Sequence, residues 1–193
     1  MARGEIIFIS GGVRSGKTAF AEEWIAGTGA RRLVYAATGR PTDPEMEDRI
    51  RRHRADRSAR PEQWETIERP TDLPGILPMI RKGDAVLIDC ITTWLANEMY
   101  DGYEDGTPCH EQAGCLEEKE EALLSAVNEL AEKASAVVIV SNEVLDEPPS
   151  EWTETRKYAT VLGRIHRRLV ALSDRAFEMD AGLAHQRKGG GRR

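Results

Sequence analysis

The chain has 193 residues, 40% apolar and 31% charged, with 27 Lys and Arg against 33 Asp and Glu for a net charge of −6. That length suits one domain burying about 70% of its unfolded surface, and the acidic balance gives no basis for general nucleic-acid affinity. No apolar run approaches the roughly 20 residues of a membrane span, and a strand-like segment starts so near Met1 that a signal peptide has no room, so the cytoplasm is the expected compartment.

In chain order, Glu5-Ile6-Ile7-Phe8-Ile9 reads as a buried strand and Ala19 to Ile25 as a helix. Between them, Gly11-Gly12-Val13-Arg14-Ser15-Gly16-Lys17-Thr18 matches G-x-x-x-x-G-K-[ST] in full, in the strand–loop–helix setting the motif requires. The glycines let backbone N–H groups surround phosphate oxygens, and the helix N-terminus adds positive potential. Lys17 is placed for the β and γ phosphates and Thr18 for Mg²⁺. Arg32 to Ala37 reads as a second strand, ending at Thr38. Asp43 to Arg57 reads as a helix with Asp43 as its N-cap. Trp64 to Glu68 alternates like a short strand, and a new element starting at Pro70 to Pro74 reads as a helix to about Arg81.

Ala85 to Ile88 forms a buried strand ending in Asp89, followed by a helical segment from Ile91 to Tyr100. Asp101 to Gly114 is rich in Gly, Asp and Pro and reads as the least ordered stretch. Three cysteines, an odd number, suggest no disulfide framework, and Cys109, His110 and Cys115 match no common zinc spacing, so all three read as ordinary loop residues. A long helix follows, with Leu116, Leu123, Val127 and Leu130 on one face and glutamates opposite that read as a solvated face. Ala136 to Val140 is the next buried strand and Trp152 to Ser173 the last helix. Residues 1–186 form the expected single domain, and the Gly- and Arg-rich stretch 187–193 the expected disordered tail.

Alternating strands and helices with continuous apolar strands predict an α/β fold, a mostly parallel sheet with helices on both faces. Ligands of such sheets sit outside the carboxyl ends of the strands. There lie the glycine loop, Thr38, Asp89 and Ser141-Asn142-Glu143. Asp89 stands where the Mg²⁺-linked carboxylate of a phosphate-loop protein belongs. It also suits the N-cap of the next helix, and the two roles are compatible.

Six of the twelve residues from Arg49 to Arg60 are arginine, and Arg49, His53 and Arg57 share a helix face at i, i+4 and i+8. Guanidinium groups suit phosphate oxygens, and neighbouring positive charge keeps an imidazole neutral at pH 7, hence nucleophilic toward phosphorus. Met46 and Ile50 at helical spacing equally allow His53 to pack at the edge of an apolar face, with the arginines solvated or bound to RNA.

These motifs together resemble the bifunctional adenosylcobinamide kinase/adenosylcobinamide-phosphate guanylyltransferase family of cobalamin biosynthesis. The glycine loop is similar to the family's GG-x-RSGK-[ST], including Arg14 and Ser15. Tyr35-Ala36-Ala37-Thr38 looks like its second strand end, and Asp43 to Arg54 like its D-x-EM-x-x-RI-x-x-H-[KR] helix. Asp89-Cys90-Ile91-Thr92-Thr93-Trp94-Leu95-Ala96-Asn97 resembles its [ED]C-[IL]-T-x-W-[LV]-x-N segment, and Ser141-Asn142-Glu143-Val144 its [ST]NEVG. Gly163-Arg164-Ile165 and Leu169 fit its late helix, and the likeness runs from about Glu5 to Lys188.

The resemblance implies a RecA-like P-loop NTPase fold and a homotrimer. It implies nucleotide contacts at Gly11, Gly12, Val13, Arg14, Ser15, Gly16, Lys17, Thr18, Thr38, Gly39, Arg40, Arg54, Ala55, Asp56, Arg57, Glu68 and Asp89, with Mg²⁺ at Thr18 and Asp89. Lys17 and His53 are then the expected catalytic residues, His53 as the guanylylated one. The implied chemistry is phosphorylation of adenosylcobinamide by ATP or GTP, then GMP transfer from GTP to adenosylcobinamide phosphate, without nucleic-acid or membrane partners. A small-molecule kinase lacking the covalent intermediate is the alternative. The chain departs from the family at Leu145 to Ser150, where no glycine stands, at Ala159-Thr160, at His166-Arg167 and at Phe177 to Asp180, and carries an insertion of about three residues between Arg57 and Trp64. These departures spare the nucleotide positions and fall where a corrinoid or neighbouring subunit is expected.

Overall fold

The buried apolar runs become the middle of one sheet. In the computed structural model, which describes residues 3–40, 51, 63–144 and 152–190, the strands are β1 (Glu5–Gly11), β2 (Arg32–Ala37), β3 (Gln63–Glu68), β4 (Ala85–Asp89), β5 (Ala136–Asn142), β6 (Arg175–Asp180) and β7 (Leu183–Lys188). The described helices are α1 (Lys17–Ala26), α2 (Ile91–Met99), α3 (Cys115–Lys133) and α4 (Thr153–Leu172). Strand order is β3-β2-β4-β5-β1-β6-β7, all parallel except β7, which runs antiparallel to β6.

Period-two alternation along each strand splits the core into two layers. Ile6, Phe8, Val86, Ile88, Val137 and Ile139 face α2, α3 and α4, packing on Trp94, Leu123, Val127 and Ile165. Ile7, Ile9, Leu33, Leu87, Val138 and Phe177 face α1, packing on Ala21 and Ile25. Each such fully buried aliphatic side chain stabilises the fold by about 1.5–3 kcal/mol relative to exposure. No helix among the described residues is long and apolar enough to cross a membrane.

Several expectations change. The segment expected as a helix to about Arg81 is a 3-10 helix, Leu73–Met79, with Pro78 inside it. A proline removes an N–H donor and clashes with an α-helical turn. Phe177 to Asp180 is regular strand despite its composition: Phe177 and Met179 pack in the α1 layer while Glu178 faces the other way. Phe177 lies 4.9 Å from Trp24 and 5.2 Å from Phe20 between ring centroids. β7 was not expected, and it carries Arg187 and Lys188 out of the stretch expected as tail. A tight turn joins it to β6, with Ala181 at φ 46° and Gly182 at φ 85°, the two positive φ values that suit a two-residue hairpin.

The glutamates of α3 are not simply solvated. Glu120 is buried, at 1% exposure, and accepts from Arg164 Nε at 2.5 Å and Arg168 Nη1 at 2.9 Å. Glu121 and Glu117 bind the same two arginines from the surface. Hydrogen bonds to these carboxylates raise the pKa of both arginines.

Cys109 and Cys115 are bonded to each other, contrary to the expectation of loop thiols. The bond ties the 3-10 turn Cys109–Glu111 to the start of α3. His110, buried between them, places Nδ1 2.9 Å from the Met99 carbonyl oxygen. Cys90 is a free, buried thiol.

Candidate active site

β1 delivers the glycine loop at the carboxyl end of the sheet. A Cβ on Gly11 would lie 2.5 Å from Met179 O and 2.7 Å from Ser15 Oγ, so no larger residue fits. Gly16 takes φ 89°, and Arg14, without a glycine's freedom, takes φ 61°. The chain thereby curls until Lys17 opens α1 and its Nζ donates to Gly12 O at 2.9 Å. Ser15 Oγ is buried with no hydrogen-bond partner among the described residues. A buried hydroxyl of this kind costs stability until an acceptor reaches it, and phosphate oxygen supplies one.

Asp89, at the end of β4, faces this loop. Its Oδ2 accepts from Tyr35 Oη at 2.7 Å and from Thr18 Oγ1 at 3.2 Å. Cys90, not Asp89, occupies the N-cap position of α2, so the carboxylate is committed to the loop rather than to the helix. Thr18 and Asp89 offer two hard oxygens at one point, the donor type a Mg²⁺ ion takes when phosphates and water complete its shell. They fit the ion.

Thr38, expected to contact the nucleotide, makes its contacts among the described residues at the turn before α2. It is fully buried; its Oγ1 donates to Cys90 O at 2.9 Å and accepts from Cys90 N at 2.8 Å. Its N–H donates to Asp89 O, and its carbonyl accepts from Asn97 Nδ2. With both backbone groups and the hydroxyl engaged, Thr38 clamps the turn that carries Asp89. Gly39 is half-buried and Arg40 exposed just beyond it. Glu68 ends β3, exposed and in register with Ala37. Four strand spacings separate β3 from β1, so Glu68 stands about 19 Å along the sheet edge from the glycine loop.

His53, Arg54, Ala55, Asp56 and Arg57 lie outside the described residues, as do Asp43 and the Leu145–Ser150 segment. Arg51 is helical and exposed.

The end of β5 completes the site with residues the sequence reading placed there but did not use. Ser141 Oγ lies 2.7 Å from His166 Nε2 on α4. Burial draws the His166 imidazole down to a pKa of about 4, and its ring stands edge-on to Phe8 at 5.3 Å. The residue that departs from the family pattern is thus a neutral brace for the strand end. Asn142 Nδ2 donates to Thr92 Oγ1 at 2.8 Å, Thr92 Oγ1 lies 2.9 Å from Cys90 Sγ, and Tyr158 Oη donates to Thr92 O at 3.0 Å. Burial foremost, then the Cys90 thiol, raises the Tyr158 pKa and keeps that hydroxyl a donor. Glu143 N donates to Gly11 O at 2.8 Å, tying β5 to the glycine loop. Tyr35 was the clearest omission: as an apolar-run residue, nothing in its spacing marked a hydroxyl aimed at Asp89.

A loop of backbone donors, an ammonium and a paired hydroxyl–carboxylate is the donor set that P-loop proteins present to phosphates. The solved structures similar to this chain agree at the level of fold. An ATPase from the type III secretion system of pathogenic bacteria superposes with a TM-score of 0.57 at 16% identity, over 96% of this chain and 57% of its own length. The assembled ATPase EscN from the type III secretion system of enteropathogenic E. coli gives a TM-score of 0.58 at 16% identity, over 95% of this chain and 48% of its own. The fold is therefore that of RecA-like P-loop NTPases. The bifunctional adenosylcobalamin biosynthesis protein CobP of Pseudomonas aeruginosa is 33% identical over 182 residues, covering 94% of this chain and 96% of the relative. The corresponding CobU of Escherichia coli is 30% identical, covering 92% and 97%, and that of Salmonella typhimurium is 30% identical with the same coverage. The family model for cobinamide kinase / cobinamide phosphate guanyltransferase matches residues 7–186, and the chain belongs to that family.

Proposed function

We propose that this chain phosphorylates adenosylcobinamide with ATP or GTP and then transfers GMP from GTP to the product, giving adenosylcobinamide-GDP. The observation that carries the reading is the convergence of Thr18 and Tyr35 on Asp89 Oδ2 beside the Gly11–Thr18 loop, in a chain whose residues 7–186 match the family model. In the first reaction the loop amides hold the phosphates, and Lys17 neutralises charge developing on the transferred phosphoryl group. Thr18 and Asp89 would hold Mg²⁺, which would supply further neutralisation of phosphate charge when bound. In the second reaction a neutral His53 nitrogen attacks the α-phosphorus of GTP and pyrophosphate leaves. An oxygen of adenosylcobinamide phosphate then takes the GMP and frees the histidine. Arg54 and Arg57 are suited to hold phosphate oxygens, and Glu68 and Asp89 to contact the nucleotide. Glu68 ends β3 and Asp89 ends β4, both at the carboxyl edge of the sheet, which supports one site for the two reactions. A homotrimer in the cytoplasm completes the proposal.

GTP labelled at the α-phosphate tests the covalent step. Expected is protein-bound label, acid-labile and base-stable, that vanishes in His53→Ala. Phosphorylation of cobinamide without any protein label would leave a kinase with no covalent intermediate.

A further inference from the structure

A cavity of about 410 Å³ opens against the first residues of the glycine loop, between Gly11 and Gly12, Glu143 at the end of β5, and Glu178, His185 and Arg187 of the β6–β7 hairpin. Two contacts make the hairpin a built wall of the site. Gly182 N donates to Ser15 O at 3.1 Å, and Gly11 passes so close to Met179 that a Cβ is excluded. Lys17 Nζ rests on Gly12 O. The P-loop lysine reaches the β and γ phosphates, so Gly12 marks the γ-phosphate end of the loop, and the cavity adjoins it. A cavity of this size admits a short alcohol arm and leaves a macrocycle the size of a corrin outside.

The acidic groups of the cavity stand at different places in the fold. Glu178 is engaged by Arg187, with Nη2 at 2.6 Å and Nε at 2.8 Å from its Oε2, and stands opposite His185 in the strand register. Asp180 sits exposed at the outer turn. Glu143 is set by the loop itself, because its N–H donates to Gly11 O at 2.8 Å. Its backbone is thereby fixed to the first residue of the phosphate loop, at the end of β5 and beside Gly12 in the cavity lining.

We propose that this cavity receives the acceptor alcohol of the kinase reaction and that Glu143 is the base that takes its proton; the proposal rests on the kinase reading above. The alcohol oxygen forms a bond to the γ-phosphorus, and the bond from that phosphorus to the β-phosphate oxygen breaks. The nucleoside diphosphate leaves with the electron pair, and the hydroxyl proton passes to the Glu143 carboxylate. Arg187, held by Glu178, gives the phosphorylated product a cation on the far wall.

The test uses the full chain with adenosylcobinamide and γ-labelled nucleotide, comparing the parent with Glu143→Gln and Glu143→Asp, alongside His53 labelling from α-labelled GTP. A general base contributes roughly 10²–10⁴-fold. Glu143→Gln is therefore expected to lower kcat for phosphorylation by about 100-fold or more, with the nucleotide KM and the His53 label unchanged. Glu143→Asp keeps a carboxylate and is expected to recover part of that loss; if Glu143→Gln does not fold, a Glu143→Asp kcat equal to the parent's or below a thousandth of it overturns the assignment. A Gln variant within threefold of the parent in kcat, or a loss confined to KM, overturns the base while leaving the kinase reading intact. A parent that binds nucleotide but leaves cobinamide unphosphorylated overturns the kinase reading, and the base with it.

Discussion

Replacing Tyr35 by Phe removes one hydroxyl from the site and leaves the ring in place. That hydroxyl donates to Asp89 Oδ2 at 2.7 Å, and Tyr35 is 9% exposed. A hydrogen bond to a charged acceptor contributes about 1.5–3 kcal/mol. Asp89 is only half-buried, so water replaces part of the loss, and the lower figure, about 1.5 kcal/mol, applies. For a chain of this length each kcal/mol shifts Tm by roughly 2–4 °C, which gives a fall of about 3–6 °C. The functional effect follows from the same bond. Asp89 retains Thr18 as its partner but loses the group that aims Oδ2, and losing such a supporting contact typically weakens metal affinity about tenfold or more. Thermal unfolding and the Mg²⁺ dependence of turnover measure both effects. In an Asp89→Ala background the hydroxyl has no carboxylate to meet, so Tyr35→Phe is expected to cost almost nothing there. Equal costs in the two backgrounds, or an unchanged Mg²⁺ requirement in the single variant, would refute the argument.

Three further outcomes follow from contacts elsewhere. His166 has a folded-state pKa of about 4, below the unfolded value near 6.5. Its contribution to stability is therefore complete above pH 6.5 and declines as pH falls toward 4, by up to about 3 kcal/mol; His166→Asn should flatten the pH dependence of the urea midpoint across that window, and an unchanged slope would contradict this. The Cys109–Cys115 link closes a loop with a sequence separation of 6, for which chain entropy predicts about 2 kcal/mol; dithiothreitol should lower Tm by several degrees in the parent and leave a Cys109→Ser, Cys115→Ser protein unmoved. Glu120→Ala leaves Arg164 and Arg168 without their buried partner, but both are 35–40% exposed and rehydrate, so the expected loss is about 1–2 kcal/mol rather than that of a fully buried pair, read as an equilibrium unfolding midpoint.

Elements with buried apolar runs were legible because burial on both faces leaves continuous Val, Ile and Leu. β1, β2, β4 and β5 sit within two residues of their expected limits, and the glycine loop and Asp89 meet as their motifs require. What escaped depends on partners distant in sequence. β7 is an exposed edge strand, Leu183-Ala184-His185-Gln186-Arg187-Lys188, with no apolar alternation to announce it. Glu120 looks like any glutamate of its run until α4 brings two arginines against it. Thr38 carries a hydroxyl at a strand end, and its bonds to the Cys90 backbone form only when β2 and β4 pair. The Cys109–Cys115 bond joins two elements across a single short turn, where counting cysteines over the whole chain is uninformative. The role of His166 depends on a distant partner, because Ser141 meets its ring only when α4 packs on β5.

In the proposed reaction sequence one phosphate loop serves two successive transfers to one corrinoid. Turnover of adenosylcobinamide with ATP and GTP together, with the corrinoid products separated over time, tests it most directly. Adenosylcobinamide phosphate is expected to accumulate first and convert to adenosylcobinamide-GDP, with Lys17→Ala abolishing the first product and His53→Ala stopping the sequence at it. Protein that binds nucleotide but returns adenosylcobinamide unchanged, or His53→Ala protein that still forms adenosylcobinamide-GDP at the parent's rate, would contradict the account.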